Sequence, residues 1–332
     1  DLSRRFQTAA DRIESLRSDL DAELSAHAAE ITQLSSTVAD LNREILDIES
    51  EAGIANDLRD QRQRVVRRIA ELVQIRSHTD SQGHLIVQMS SGHTLVSGRR
   101  SGILSTRSNP NNNGLASIVY TDADGTKPAD VTDAVIGGEL GGKLNARDQV
   151  TNETLNQLDS LAFALVEAVN TQHRAGFGLA AGGNPPTDQQ NFFSALAGVP
   201  GSSQLIEIDP AVLADVSLVA ASSTDVGSPG NNENALALAA IEEAAIIDNS
   251  RPHDYWSDQV RRVGDQVARA KRDSDNYDAR MEQSTALREA LSGVSVDEEL
   301  AELVKVQTSF EASAKVITTA DEMLQAILNM KR

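Results

Sequence analysis

The chain is 332 residues long, with 40% hydrophobic but only 3% aromatic residues, no cysteine and a formal net charge of −19. The missing thiols exclude a disulfide scaffold, a thiolate zinc finger, a thiol enzyme and an iron–sulfur protein, while the acidic balance argues against nucleic acid, whose phosphates demand a basic surface. No run of 18 or more apolar residues occurs, because 161–169 and 235–247 are short and are broken by Glu167 and by Glu242 and Glu243, so no membrane insertion is expected.

The chain opens at Asp1 without a methionine, a basic segment or an apolar leader, and is expected to be trimmed. Its first segment carries Leu2, Phe6, Ala9, Ile13, Leu16, Leu20, Leu24, His27, Ile31, Leu34, Val38, Leu41, Ile45 and Ile48, at steps of three and four. That spacing predicts a helix of roughly 70 Å with one narrow apolar seam, a coiled-coil pattern with a stutter at Leu16, Leu20 and Leu24. Gly53 breaks it, and Asn56 is a candidate N-cap for a helix to Leu72 with Leu58, Val65, Ile69 and Leu72 on one face. Arg59, Arg62, Arg64, Arg67 and Arg68 on its other face have no interleaved aromatics, and Asp60 stands four residues before Arg64. They read as a solvated face.

From residue 73 the period falls to two, predicting strands at 73–76, 84–89, 93–96, 102–106 and 115–121 in one small antiparallel meander. His78, His84 and His93 lie within it, but no cysteine or evident carboxylate completes a ligand set, and no metal is expected. The turn Asp122-Ala-Asp124-Gly125 lacks the later ligands of a calcium loop. Residues 137–143 match the first positions of a P-loop, yet Leu144 stands where a hydroxyl should hold magnesium; no nucleotide or other cofactor is expected.

A helix is predicted over 143–174, stopped by Gly176. Residues 178–230 read as a loop-rich insertion with one strand at 204–208 and a short helix after Pro210. An alanine-rich helix follows over 234–247, then a long one over 252–291, where six acids and six bases between Asp254 and Arg280 make a salt-bridge-laced exterior. Gly293 ends that helix. Ser295 to Glu298 forms a capping box opening a final helix whose seam runs through Leu300, Leu303, Phe310, Ala314, Ile317, Leu324 and Ile327. No nucleophile motif or helical histidine pair appears, and paired carboxylates among 49 acids single out no acid and base, so no catalytic residue is expected.

The stretch SGVSVDEELAELVKVQTSFEASAKVITTADEML over 292–324 resembles the carboxy-terminal signature of flagellar rod, hook and hook-associated proteins. NDLRDQR over 56–62, and GELGGKLNARD over 138–148 leading through Ala168-Val169-Asn170 to His173 and Gly176, narrow the resemblance to the hook-associated protein 1 family. The resemblance spans 1–178 and 231–332 and marks Asn56, Asp57, Asp60, Gly138, Gly141, Gly142, Arg147, Asp148 and Asn170 as structural motif positions. It implies an amino-terminal segment ahead of Asp1, with an Asn-Ile-Ala-Asn type motif, that pairs with the final helix. It further implies a secreted structural subunit at the hook–filament junction, exported unfolded. The implied partners are copies of itself, the hook protein, the next hook-associated junction protein and a cytoplasmic export chaperone on the final seam.

The expected fold class is mainly α: an elongated antiparallel bundle from the helices near 1–50, 143–174 and 252–291, carrying a β meander and a loop-rich insertion. The expected division is 1–72, 138–177 and 231–292 as three parts of the bundle, 73–137 as the meander, 178–230 as the insertion and 293–332 as the assembly helix. A secreted coiled-coil adhesin or needle-type translocator shares the heptads and the absent cysteine but gives no reason for the carboxy-terminal signature. A carboxylate hydrolase would need an enclosed pocket with convergent charges.

Overall fold

The structure, a computed structural model, describes residues 1–50, 53–126, 128–179, 189–225, 230–292 and 296–330. The chain divides into two compact units, Asp1–Arg261 and Arg262–Arg332. The fold is mainly α with small antiparallel sheets.

In the first unit α1 (Leu2–Ser50) buries Ala10, Arg17, Leu24, Ile31, Val38 and Ile45 at intervals of seven, interleaved with Ala28, Ser35 and Asn42 at the same interval. A seven-residue repeat is present, but it is not the seam of large apolar residues alone. Leu2, Leu16 and Ile48 are exposed, and polar Arg17, Ser35 and Asn42 lie inside. Of these only Asn42 is fully met by hydrogen bonds, from Arg62 and the sheet backbone, whereas Ser35 Oγ and Arg17 Nε are buried without a partner among the described residues. After α1 comes α2 (Asn56–Leu72), whose N-cap is Ala55 with no side-chain cap, so Asn56 opens the helix and does not cap it. Its buried face is Arg62, Val66, Ile69 and Leu72, rotated from the predicted one to take in an arginine.

The β region forms two sheets and not one meander. β1 (Ile75–Thr79), β2 (Leu85–Met89), β3 (Thr94–Ser97) and β4 (Arg100–Ser101) pair antiparallel in that order. β5 (Ile103–Ser108), β6 (Ala116–Thr121) and β7 (Ala129–Asp130) form the second sheet. The chain passes between sheets at Gly102, whose N–H donates to Leu95 O at 2.9 Å. A Cβ there would lie 2.8 Å from the Tyr120 ring and 3.0 Å from Thr94 O, so only glycine lets the two sheets approach so closely. Tyr120 Oη locks the corner by donating to Thr94 O at 2.7 Å.

The predicted helix over 143–174 begins earlier and is interrupted: α3 (Gly138–Asn145), a π-helical turn (Ala146–Val150) and α4 (Thr151–Arg174) follow one another. The predicted strand at 204–208 is replaced by α5 (Ser202–Leu205) and a single bridge from Ile208 to Phe193. Asp159 on α4 drives that change by accepting from Gly201 N (2.8 Å) and Ser203 N (2.9 Å), which folds the segment into a turn. α6 (Pro210–Ala214) stands where Pro210 predicts a helix, with Asp209 as its side-chain cap. α7 (Glu233–Ala239) passes into a 3-10 turn and ends short of the predicted 247.

Two cores result. One gathers α1 beyond Leu24, α2, both sheets and α3; the other gathers Phe6 and Ala10 with Leu158, Leu161, Ala162 and Val166 of α4, and with Phe193, Ile206, Ile247 and Tyr255. α8 (Pro252–Ser292) enters that second core only through its first turns, burying Tyr255 and Gln259. Beyond Gln259 no described side chain of α8 is buried, and Val260, Val267, Tyr277 and Met281 are exposed. In the second unit α9 (Val296–Met330) completes the described chain. Gly293 and Ser295, and with them the predicted stop and capping box, lie outside the described residues.

Candidate assembly interface

The motif positions of the first unit make joints between elements. Arg147, in the π-helical turn, is wholly buried. Its Nε and Nη2 donate to the two Asp148 oxygens at 2.8 and 2.6 Å, and Nη1 donates to Asp21 of α1 and to Ala116 O of β6 at 2.7 Å. Asp21 also accepts from Ala116 N at 2.9 Å, and Asn112 donates to Asp148 at 3.0 Å. Burial works against the buried guanidinium's charge, but pairing with Asp148 and Asp21 outweighs it and moves its pKa upward. A π-turn adds one residue to the helical circuit, which here swings Arg147 inward between α1 and β6.

The motif glycines divide. At Gly138 φ is +64° and a Cβ would lie 2.5 Å from the Leu72 carbonyl carbon; at Gly141 it would lie 2.9 Å from the Ile136 carbonyl carbon. Gly142 faces open space. Lys143 of the P-loop-like stretch is held by Glu23. Asn170 of α4 is buried and donates to Phe193 O at 3.0 Å while accepting from Phe192 N and Phe193 N. Beside it His173 bridges Gln190 O (2.7 Å, through Nδ1) and Ala220 N (3.0 Å, to Nε2), fixing the insertion to α4. Gly176 is required by Asn234, whose Nδ2 would lie 2.1 Å from an added Cβ.

Asn56, Asp57 and Asp60 are exposed, and the arginines of the same stretch carry the contacts. Arg59 clasps both Glu49 oxygens at 2.7 and 2.8 Å, which holds that carboxyl below its ordinary range and raises the Arg59 pKa. Arg62 is buried and donates to Asn42 at 2.7 Å; burial, then the neighbouring Arg59, lowers its pKa. Arg68 reaches Glu30 of α1, Glu71 and Glu139 of α3 at 2.8 to 3.0 Å. The solvated-face reading fails at Arg62, which is buried, while Arg59 and Arg68 keep contact with solvent yet are paired; together the three tie α2 to α1 and, through Arg68, to α3. An arginine's fork satisfies several acceptors at once, and sequence spacing gives no sight of partners 10 to 71 residues away.

The meander histidines do not converge. His84 sits 3.2 Å from Asp80, His93 meets Tyr120 edge-on at 4.9 Å, and His78 is exposed. Among the described residues no group of three or more His, Cys, Asp or Glu is placed to hold a metal ion. No helix is long and apolar enough to cross a membrane, among the described residues.

On α9 the predicted seam faces outward. Leu300, Leu303, Phe310 and Ile317 are between 54% (Leu300) and 75% (Phe310) exposed, and Ala314 is exposed with them. Leu303, Phe310 and Ile317 fall seven apart, with Leu300 and Ala314 beside them, so all five share one helical face. The side chains of Leu324 and Ile327 lie outside the described residues. No residue signal marked Asn42 or Asp159 as joints, because each bonds mainly to backbone brought near by the fold.

Comparison with known proteins first gives the class: residues 289–330 match the family model described as "Flagellar basal body rod FlgEFG protein C-terminal", which places the chain among flagellar proteins. Residues 1–193 match the model described as "Flagellar hook-associated protein FlgK helical domain". The chain belongs to the flagellar hook-associated protein FlgK family. It is 24% identical over 354 residues to flagellar hook-associated protein 1 of Bacillus subtilis (strain 168), covering 98% of this chain and 68% of that protein. It is 21% identical over 408 residues to flagellar hook-associated protein 1 of Escherichia coli (strain K12), covering 99% and 75%. The flagellar hook junction protein FlgK from Burkholderia pseudomallei superposes with a TM-score of 0.52 at 26% identity, covering 59% of this chain and 35% of that one.

Proposed function

We infer that this chain is a structural subunit of the bacterial flagellum at the hook–filament junction, acting by repeated protein contacts. Membership in the FlgK family supports that role. The observation that carries the mechanism is the exposed heptad face of α9. Fully burying a Leu, Ile or Phe side chain is worth about 1.5 to 3 kcal/mol, so a partner helix on Leu300, Leu303, Phe310 and Ile317 gains several kcal/mol from these four alone.

The same face suits successive occupants: an export chaperone in the cytoplasm, then neighbouring subunits outside the cell, among them further copies, the hook protein and the next junction protein. The absence of cysteine agrees with export in the unfolded state, since no disulfide can lock the chain prematurely.

Removing residues 300–332 tests the reading. The shortened protein should keep the cooperative melt of the first unit while failing to enter flagella, and cells producing only this form should not swim. Normal swimming would overturn the proposal.

A further inference from the structure

Charge is not spread evenly over the first unit. Residues 73–121, which hold β1 to β6, carry four arginines, three histidines and a single acid, Asp80, a net +3 in a chain of −19. Residues 175–250, which hold α5, α6 and α7, carry nine acids and no lysine, arginine or histidine. α1 holds the two regions apart. Its Gln7 donates to Ile206 O of the acidic region at 3.0 Å, and its Asn42 donates to Leu85 O of the basic region at 2.9 Å, contacts that stand about 50 Å apart along the helix. Salt screens exposed charges beyond about 8 Å under physiological conditions, so neither region neutralises the other within one chain.

Both regions present these charges to solvent. Arg99 and Arg100 meet only the exposed Asp47 and Asp124, and the exposed Arg76 and Arg107 form no ion pair among the described residues. In the acidic region Glu207, Asp215 and Glu242 are exposed, and so are the apolar Leu213, Val216 and Leu236. Apolar area within a charged surround is the makeup of a docking face, where burial supplies affinity and charge selects the partner. We propose that copies of this protein meet head to tail, the acidic region of one on the basic β region of the next. The two faces differ, so the contact is heterologous and continues from copy to copy into a ring or a helical row, whereas a contact between identical faces would stop at a dimer. The inference takes from the proposed function only that copies of the chain meet, and it does not use the α9 face.

The test uses the full chain carrying Phe310→Ser and Ile317→Ser as parent, which removes the α9 face, so that failure here leaves the reading of α9 untouched. Sedimentation equilibrium at up to about 1 mM protein should show open-ended association that weakens about tenfold between about 50 and about 300 mM salt. Reversing the β region with Arg76→Glu, Arg100→Glu and Arg107→Glu should weaken it about tenfold, and Glu207→Lys with Glu242→Lys about threefold. Each variant keeps the face that the other has lost. Mixed, the two should form a one-to-one pair of parental strength that grows no further, because the altered faces left at its ends are both acidic. A parent that stays monomeric, variants that associate as the parent does, or a mixture that forms no such pair overturns the proposal; unaltered melts certify that both variants fold.

Discussion

α1 and α9 are written with the same seven-residue period, yet α1 turns its repeat into the protein while the described seam of α9 lies open to solvent. The two seams differ in what fills them. In α1 the buried line includes Arg17, Ser35 and Asn42; in α9 the described seam is Leu300, Leu303, Phe310, Ala314 and Ile317. Asn42 shows why the first seam can exist only against one neighbour. Its amide donates to Leu85 O and Gly98 O at 2.9 and 2.8 Å and accepts from Leu85 N and Arg62. A polar residue in a seam fixes register and partner, because any other packing strands its hydrogen bonds. A seam of aliphatic and aromatic groups makes no such demand.

The contrast breaks if the joints of α1 prove dispensable. Arg147→Met strands Asp21 of α1 against the carboxylate of Asp148, and should lower stability by about 3 to 5 kcal/mol in urea unfolding. A loss under about 1 kcal/mol would mean that the joint is decorative. Next in size, Asn42→Leu removes four hydrogen bonds and leaves Leu85 and Gly98 backbone groups unpaired, at a cost of about 2 to 4 kcal/mol in the same assay.

Acid should act on the α1–α2 pairing. Glu30 and Glu49 of α1 have their pKa lowered from 4.5 chiefly by hydrogen bonds from Arg68 and Arg59. A depressed folded-state pKa gives stability that is present above the unfolded value and is lost as pH falls through the folded one. Thermal midpoints should therefore hold near neutrality and decline below about pH 4.5, with a shallower decline in an Arg59→Met, Arg68→Met double variant. Identical slopes for the two proteins would refute the assignment. The smallest effect belongs to α9: Phe310→Ser with Ile317→Ser should change unfolding stability by less than about 0.5 kcal/mol while abolishing incorporation into flagella. A large stability loss would place the seam inside the isolated protein after all.

Much of the helical layout is legible in the residues. The period of three and four marks α1, α2, α4, α8 and α9, and the alternation with glycine-rich turns marks the β region. The illegible parts share a cause. The division of the strands into two sheets depends on Gly102 meeting Tyr120, and the π-turn on Arg147 finding Asp21, 126 residues away. The strand expected at 204–208 gives way to α5, where Asp159 of a distant helix captures the amides of Gly201 and Ser203 just ahead of it. Local pattern records the propensity of a segment but carries no term for a hydrogen bond from far along the chain.

The sequence by itself determined that this protein is built from aliphatic helical seams with no thiol chemistry, and its motifs pointed to the family to which the chain belongs. Only the tertiary structure decided which seam is satisfied and which stays open. Periodicity fixes that a helix has an apolar face, because side-chain direction follows helix geometry; it cannot say whether the covering surface lies in the same chain. Arg62, Arg147 and the sheet backbone close over α1, while the described seam of α9 is exposed.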